Sequence, residues 1–481
     1  MTNKMSLQFP TGLPIGESWV QVTSTEPIRF PFDGSEVAQA PVGDERLARQ
    51  ALDEALAVED LVAAIPSRLR HELLMAAHKT ISERSADLED ILILETGKPR
   101  RDCRVEVYRA LLTLMLSAQE SIRLHGETVP VDLLPSGDGL FAYYQRVPVG
   151  VVVGIAGFNY PFLLAMHKIA PAVAAGCPVI CKPAPQTPIA TLWLVHILRE
   201  AAASVGAPRS IVQLVTGGVE VGEILTTDPR IGAVSFTGSA DVGHQIARAA
   251  APRKVLLELG SNAALIVAAD ADLDAAATGV VNGGFYATGQ ACISVQRVIV
   301  EETVYEDFLK RVTANVAKVV VGDPRDEMTQ VATLIDDAST RRVTDWVRQA
   351  ADAGAEILAG GVQDGLRPTL LRDVDVDQLV WNEEVFGPVV AARSVPHMDA
   401  AFDLVNQSRY GLQASIYTSS LKTGLDAVRR LKVGGVIVNE VPGFRSDTMP
   451  YGGVKDSGIG REGPRYAIEE LTVTKMAVIR A

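Results

Sequence analysis

Cysteine is scarce in this sequence, and its four cysteines form no recognisable pair. Cys103, Cys177, Cys181 and Cys292 show neither CxxC spacing nor a Cys/His metal-binding pattern. We therefore predict no metal site, and the absence of a disulfide framework favours a reducing, cytoplasmic location. The N-terminal stretch MTNKMSLQFPTGLP also lacks the apolar core of a secretory signal peptide.

The sequence also lacks any run of basic residues. Its 45 Lys and Arg residues are outnumbered by 58 Asp and Glu residues, which gives a formal net charge of −13 and argues against a nucleic-acid partner. There is no internal repeat and no Ser/Pro/Gln-rich tract, and apolar residues make up 47% of the chain. This composition indicates a globular protein, and its length suggests roughly three domain-sized units.

One segment has the length and apolar character of a membrane-spanning helix. Residues 147–166 contain 20 residues without a charge. Within them, however, the β-branched run Val151 to Val153 lies between two glycines, and Gly, Asn and Pro follow closely. These residues predict a buried strand that leads into a loop, so we expect no membrane association.

Helical and strand patterns alternate along the chain, which predicts an α/β architecture. Between residues 149 and 260 we expect strands at GVVVGIA, PVICK, IVQLV, AVSF and KVLLEL. Helices between these strands would give a doubly wound nucleotide-binding sheet. A second alternating series, from about residue 264 to residue 439, predicts another α/β domain.

Two predicted helices have recognisable ends. Ser85 is expected to cap one helix, which Gly97 would end. Thr187 is expected to cap the other, with Pro188 at its first position and Gly206 just beyond its last turn.

The dinucleotide fingerprint GxGxxG is missing, but FTGSADVG at residues 236–243 stands in a comparable place. Thr237, Gly238 and Ser239 follow a predicted strand and precede a helix, so a phosphate could bind at the helix N-terminus. A small-residue turn without a ligand is the alternative. Lys182 ends another strand at the expected ligand-binding edge, or is simply a solvated lysine.

The segment GQACISVQR at residues 289–297 places Cys292 beside small residues that leave room for a ligand. Cys292 is either a nucleophile or a small buried hydrophobe, and none of the seven histidines lies in a motif that would activate it. Glu258, within an apolar run, is either a satisfied buried acid or a general base. Asn159 is either a turn residue or an oxyanion donor.

Seven motifs together resemble the aldehyde dehydrogenase superfamily in order and spacing, from about residue 16 to the C-terminus. They are GFNYPF, CKPAPQTP, FTGSADVG, LELGSN, GQACISVQR, NEEVFGPV and MPYGGVKDSGIGRE. The resemblance implies that Cys292 is the nucleophile, Glu258 the general base and Asn159 the oxyanion donor. It implies an NAD or NADP site formed by Lys182, Pro185, Gly217, Gly222, Thr237, Gly238, Ser239, Glu384 and Phe386.

The resemblance also implies how the chain is divided. A Rossmann-like cofactor domain would comprise residues 1–125 and 149–260, and an α/β catalytic domain residues 261–463. A small β bridging element, residues 126–148 and 464–481, would join subunits of a homodimer or homotetramer.

Departures from the family pattern bear on the cofactor and the substrate. Pro185 stands where NAD-preferring members often carry a glutamate, so both cofactors are expected to bind. Phe158 replaces a more frequent tryptophan and alters the shape of the pocket. Arg109 and Arg445 match positions near the substrate, although Ala291 replaces a third arginine found in some relatives. Two ordinary surface arginines are the alternative.

The implied reaction is oxidation of a small-molecule aldehyde to its carboxylic acid through a thiohemiacetal and a thioester on Cys292. A short hydroxylated or anionic aldehyde is the expected substrate. Two alternatives stay open, a coenzyme A-acylating enzyme and a catalytically silent protein of the same fold. Retention of the nucleophile, the base and the oxyanion donor argues against both.

Overall fold

The computed structural model describes residues 7–363 and 365–480. The first six residues of the N-terminal stretch considered above and Ala481 lie outside this range. The strands are β1 Leu13–Ile15, β2 Ser18–Val20, β3 Thr25–Arg29, β4 Glu36–Pro41, β5 Glu127–Thr128, β6 Leu140–Pro148, β7 Val152–Ile155, β8 Val179–Lys182, β9 Val212–Leu214, β10 Ala233–Thr237, β11 Lys254–Glu258, β12 Ala264–Val267, β13 Arg297–Glu301, β14 Glu356–Ala359, β15 Thr369–Arg372, β16 Val389–Val395, β17 Gln413–Tyr417, β18 Gly435–Val438, β19 Gly458–Ile459 and β20 Thr472–Arg480.

The helices alternate with these strands. They are α1 Glu45–Ala57, α2 Glu59–Ala63, α3 Ser67–Glu83, α4 Ser85–Thr96, α5 Arg100–Ser121, α6 Pro161–Ala175, α7 Ile189–Ser204, α8 Val219–Thr227, α9 Ala240–Ala250, α10 Leu273–Phe285, α11 Glu302–Val316, α12 Asp337–Asp352, α13 Leu379–Asn382, α14 Met398–Asn406, α15 Leu421–Arg430 and α16 Pro464–Glu470.

The five strands predicted between residues 149 and 260 are confirmed, and they form one sheet. Its order is β19-β11-β10-β7-β8-β9, and β7 to β11 are mutually parallel. The chain leaves β7 in one direction through β8 and β9, then returns to add β10 and β11 on the other side. The strand order therefore reverses between β7 and β10, where open α/β sheets bind their ligands.

The second α/β unit contains a sheet in the order β14-β15-β16-β13-β12-β17-β18, in which only the β14–β15 pair is antiparallel. A third, antiparallel sheet joins β20, β6 and β5, with β20 paired along its whole length to β6. The third sheet combines two distant segments of the chain, and whether it bridges subunits stays a prediction.

Near residue 463 the chain crosses between units in a way that the sequence does not predict. β19 lies within the segment assigned to the catalytic domain, yet Gly458 and Ile459 pair with Glu258 and Leu257 of β11. Backbone groups at the edge of β11 would otherwise lack partners, and this short strand supplies them. The following α16 packs on α5 and α6 rather than joining the third sheet.

The helix ends differ from the prediction by one residue. Ser85 is the first residue of α4, and Arg84 precedes it as the cap. Pro188, rather than Thr187, is the cap of α7. Gly97 and Gly206 adopt the left-handed backbone expected after a helix. Within the described residues, no helix is both long and apolar enough to cross a membrane, and no grouping of His, Cys, Asp and Glu could hold a metal ion.

Candidate active site

The residues singled out in the sequence meet at one edge of the first sheet. Asn159 follows β7, Lys182 ends β8, Thr237 ends β10 and Glu258 ends β11. These strands are parallel, so their carboxyl ends converge at the same edge. A cavity of about 860 Å³ opens there, between this sheet and the loops of the second α/β unit.

The cavity brings together most of the predicted site residues. Those that line it are Cys292, Glu258, Asn159, Thr237, Gly238, Ser239, Glu384, Phe386, Arg109, Phe158 and Arg445. The other four, Lys182, Pro185, Gly217 and Gly222, do not line it and lie around β8 and the start of α8.

Cys292 is positioned by a strained turn between α10 and β13. Ala287, Thr288 and Gly289 all adopt positive φ angles of 49°, 57° and 73°, which is costly for residues other than glycine. A Cβ at Gly289 would lie 2.1 Å from the carbonyl oxygen of Gly387, so only glycine fits there. Asp102 of α5 accepts a 2.9 Å hydrogen bond from the backbone N–H of Ala287 and holds the turn.

Asn159 is tied to the same loop. Its side-chain Nδ2 donates a 2.8 Å hydrogen bond to the carbonyl oxygen of Gln290, two residues before the cysteine. Nδ2 carries a second N–H that can serve a ligand. The arrangement places an amide donor beside the nucleophile, as stabilisation of an oxyanion requires.

Among the described residues, the thiol of Cys292 makes one hydrogen-bond contact with a side chain, 3.4 Å from its Sγ to the hydroxyl of Tyr451. Burial is the main cause that raises the pKa of Cys292 to about 11, and the Tyr451 contact opposes it. The guanidinium of Arg445 in turn lies over the Tyr451 ring, 3.7 Å from the centroid. The neutral thiol is therefore the resting form near pH 7.

Glu258 is buried, and its Oε2 has no hydrogen-bond partner among the described residues. Burial, followed by the negative charge of Glu462, raises the pKa of Glu258 well above its ordinary value. Burial acts in the same direction on Glu462, but Lys168 and His167 outweigh it and hold the pKa of Glu462 well below its ordinary value. The pKa values of the two acids are thus shifted in opposite directions, with that of Glu258 raised and that of Glu462 lowered.

On the cofactor side, Ser239 precedes α9 and makes no capping hydrogen bond, so the first N–H groups of the helix can bind an anion. Glu384 accepts a 3.0 Å hydrogen bond from the backbone N–H of Ser261, and burial raises its pKa to about 7. The rings of Phe386 and Phe158 meet edge to face with centroids 5.7 Å apart. We call this side of the cavity, formed by Ser239, Glu384 and Phe386, the cofactor wall. It suits a dinucleotide because it has an anion-binding helix end and an acceptor for a sugar hydroxyl.

The charge of a carboxylate that no sequence motif indicates acts on Lys182. Burial lowers the pKa of Lys182, and the charge of Glu220 opposes that shift. Gly222 leaves space over the lysine, because a Cβ there would lie 3.7 Å from Lys182 Cδ. Exposed Pro185 provides no carboxylate, but Glu220 on α8 brings one to the same neighbourhood.

Arg109 is half-buried and Arg445 is buried, and each already has an acidic partner. Arg109 donates two hydrogen bonds to Asp447, from Nε at 3.1 Å and from Nη2 at 2.8 Å. Arg445 donates to Glu462 at 3.1 Å. Neither arginine is thus a fully exposed, unpaired side chain, and their role toward the substrate stays a prediction.

Several residues that shape this site stand in no position for which the sequence predicts a role, namely Asp102, His167, Tyr286, Asp447, Tyr451 and Glu462. Tyr451 and Glu462 both lie in the motif MPYGGVKDSGIGRE, so the resemblance could have suggested them. The others become visible only through contacts between distant parts of the chain.

Comparison with known proteins decides the family. The aldehyde dehydrogenase family matches residues 19–477. The chain belongs to the aldehyde dehydrogenase family. This family member is 44% identical over 413 residues to the 3-sulfolactaldehyde dehydrogenase of Priestia aryabhattai, covering 85% of this chain and 86% of that protein. It is 36% identical over 439 residues to the lactaldehyde dehydrogenase of Methanococcus vannielii, covering 91% and 93%.

A solved structure agrees with these relatives. The glyceraldehyde-3-phosphate dehydrogenase of Methanocaldococcus jannaschii, complexed with NADP, superposes with a TM-score of 0.92 at 33% identity, covering 96% of this chain and 100% of that one. The predicted family and α/β fold are confirmed, and this aldehyde dehydrogenase is an NAD(P)-dependent enzyme.

Proposed function

We propose that this aldehyde dehydrogenase oxidises a short hydroxylated or anionic aldehyde to its carboxylic acid. Cys292 is the nucleophile, Asn159 the oxyanion donor and Glu258 the general base. The observation that carries this proposal is that all three line the same cavity as Arg109 and Arg445. One space therefore holds the reacting groups and the donors that could bind a polar substituent.

The first half of the reaction belongs to Cys292 and Asn159. Sγ releases its proton to solvent and adds to the aldehyde carbon, and the carbonyl π electrons move to oxygen. The side-chain amide of Asn159 stabilises that oxyanion by a hydrogen bond. Bound NAD(P)+ supplies the hydride acceptor. Cys292 then carries the acyl group as a thioester.

The second half belongs to Glu258. Its carboxylate removes a proton from water as the water oxygen attacks the thioester carbon. The C–S bond breaks, the acid leaves and Cys292 recovers its thiol proton through Glu258. The raised pKa of Glu258 supports this role, because a carboxylate with a higher proton affinity is a stronger base.

Residues on the cofactor wall fit a nicotinamide dinucleotide. The N–H groups at the start of α9, behind Gly238 and Ser239, would hold its pyrophosphate. Glu384 would accept a hydrogen bond from a hydroxyl of one ribose, and Lys182 would donate to the other. Gly222 lies beside Lys182, and Gly217 lies just before α8. Phe386 would flank the nicotinamide ring.

The substrate class rests on the donors and on the relatives. The cavity is lined by Arg109, Arg445 and His167. A hydroxyl or an anionic group beside the aldehyde could accept hydrogen bonds from their N–H groups. Relatives named for 3-sulfolactaldehyde, lactaldehyde and glyceraldehyde 3-phosphate all act on short aldehydes bearing such groups. A panel of purified aldehydes tests this, and a long alkanal or benzaldehyde outperforming every short polar aldehyde would contradict it.

Two variants test the catalytic roles. Cys292→Ala should abolish oxidation while NADP still binds, because the thiol takes part in chemistry and not in nucleotide binding. Glu258→Gln should give one rapid turnover of cofactor reduction followed by a slow steady state, because the acyl-enzyme accumulates. Stopped-flow absorbance and calorimetric NADP titration measure both. Activity of Cys292→Ala within a few-fold of wild type would exclude this mechanism.

The two alternatives make different predictions from the same measurements. A coenzyme A-acylating enzyme would be insensitive to Glu258→Gln and would need an added thiol acceptor. A silent protein would bind NADP without oxidising any aldehyde. The buried, unpaired oxygen of Glu258 supports hydrolysis by water over both.

We also propose that the enzyme is a homo-oligomer, supported by the apolar edge strand β20. A cytoplasmic location is proposed from the unpaired cysteines.

A further inference from the structure

A cluster of five charged or titratable residues lies behind the substrate side of the cavity. We call it the Asp447 cluster, and it consists of Arg109, His167, Arg445, Asp447 and Glu462. Asp447 is only 2% exposed at its side chain and does not itself line the cavity, whereas both arginines and His167 do. Its carboxylate is thus covered by the groups that face the substrate.

Each arginine in the cluster is matched by a carboxylate before any ligand arrives. Asp447 accepts two hydrogen bonds from Arg109, and its Oδ1 lies 3.7 Å from Arg445 Nε and 3.4 Å from His167 Nε2. Glu462 pairs with Arg445 at 3.1 Å and with Lys168 at 3.1 Å. The two carboxylates therefore offset two of the three positive charges of Arg109, Arg445 and Lys168.

Arg109 can still donate hydrogen bonds to a ligand although Asp447 offsets its positive charge. A guanidinium has five N–H donors, and Asp447 occupies one on Nε and one on Nη2. The remaining donors can bind a hydroxyl or an anion on the cavity side. Burial acts to raise the pKa of Asp447, but His167 and Arg109 outweigh it and hold that pKa below its ordinary range. Asp447 therefore keeps its negative charge at neutral pH.

This fixed charge acts unequally on different ligands. Coulomb repulsion from Asp447 grows with the charge of the ligand group, so it is twice as large for a dianion as for a monoanion at the same place. It is absent for a neutral hydroxyl, which uses only the N–H donors. Because the carboxylate is buried, water and salt screen it weakly.

We propose that Asp447 is a specificity-determining residue that sets the charge of the accepted aldehyde. The pocket favours a hydroxyl or a single negative charge next to the aldehyde and disfavours a doubly charged phosphate. This inference rests on the proposed function and narrows its substrate class.

The test compares two aldehydes of one carbon skeleton, glyceraldehyde and glyceraldehyde 3-phosphate, in wild type and in Asp447→Asn. Asparagine has the shape of aspartate without its charge, so differences in substrate size cancel between the two proteins. We expect wild type to have the higher kcat/KM for glyceraldehyde. In Asp447→Asn the phosphate-to-neutral ratio of kcat/KM should rise at least about tenfold. An unchanged or lower ratio would overturn the proposal.

Three further measurements keep the test decisive. Asp447→Glu retains the charge and should keep the ratio within about threefold of wild type. If Asp447→Asn fails to fold, judged by circular dichroism, Asp447→Ser takes its place with the same expected shift. A wild-type preference for the phosphate of more than about tenfold would overturn the proposal without any variant.

The proposal can fail separately from the proposed function. An enzyme that oxidises neither aldehyde but oxidises aromatic or long-chain aldehydes contradicts the proposed function. In that case, calorimetry on Cys292→Ala with and without Asp447→Asn measures binding of the same two compounds. Tighter phosphate binding without the Asp447 charge would support the charge effect, and equal binding would overturn it.

Discussion

At the scale of single residues, burial raises the pKa of the reactive thiol. Cys292 is half-buried, and the surrounding protein raises the pKa of its thiol to about 11. Asn159 and Tyr451 contact the catalytic loop and the thiol, but neither carries a charge that would stabilise a thiolate. The thiol consequently stays protonated until the pH rises or a bound ligand changes its surroundings.

The pH dependence of alkylation by iodoacetamide should report the raised pKa of Cys292 in the cofactor-free enzyme. Only the thiolate reacts, and below the pKa its fraction grows tenfold per pH unit, so the rate should rise roughly a hundredfold from pH 7 to pH 9. Cys292→Ser provides the background, since Cys103, Cys177 and Cys181 are buried. Mass spectrometry would locate the label. A plateau reached below pH 9 would contradict the raised pKa.

Glu220 is the residue that we expect to limit the use of NADP. Its charge acts on Lys182, which the family resemblance places at the adenosine ribose, and a carboxylate near that ribose repels a 2′-phosphate. Glu220→Gln should raise kcat/KM for NADP relative to NAD about tenfold, or about 1.4 kcal/mol. Glu223→Gln, one turn further along α8, removes the same charge at a greater distance and should change the ratio less. Equal effects of the two substitutions would count against a specific role.

At the scale of secondary structure, α5 connects the two catalytic loops. Asp102 of α5 accepts from Ala287 in the strained turn before Cys292, and Glu106 of α5 accepts from the backbone N–H groups of Phe162 and Leu163 just after Asn159. Lys98 pairs with Glu106 in the buried interior. One helix thus fixes the start of α6 and the turn that carries the nucleophile.

Asp102→Ala should release that turn. It leaves the buried N–H of Ala287 without an acceptor, which costs about 1–3 kcal/mol, and it frees a segment with two left-handed non-glycine residues. We expect the single-turnover rate of acylation to fall at least about tenfold while the affinity for NADP stays unchanged. Asp102→Asn retains an acceptor oxygen and should recover most of the rate. A loss of thermal stability with an unchanged acylation rate would show a purely structural role.

The same contacts explain which features the sequence could predict. Strands such as Val152–Ile155 follow from local apolar runs between glycines, and they were predicted correctly. The cap of α7 was misplaced by one residue, because Glu95 of α4 binds the N–H groups of Ile189 and Ala190 and replaces a local cap. Asp102 and Asp447 were missed because their partners lie 185 and 338 residues away. No local pattern records such pairings.

At the scale of the whole molecule, the three larger sheets have different positions relative to the cavity. The first positions a cofactor wall, the second carries the loop with Cys292, and the third lies apart from the cavity. In the third sheet β20 pairs with β6 on one side and is the edge strand on the other. Its exposed apolar residues are Val473, Met476, Val478 and Ile479. An exposed apolar edge of this length is a surface that a second copy of the chain can cover.

The enzyme should accordingly sediment as a dimer or a tetramer, and charges placed on this edge should dissociate it. Met476 and Val478 are two positions apart in β20, so they lie on the same face of the strand. The double substitution Met476→Lys with Val478→Lys therefore places two positive charges in the expected interface. Sedimentation equilibrium should then show a lower mass, with unchanged circular dichroism because both side chains are exposed in the single chain. The matched control is Leu61→Lys with Leu421→Lys, which adds the same charge at exposed apolar positions on α2 and α15. A monomeric wild type, or an equal loss of mass in the control, would show that β20 is not the surface that joins subunits.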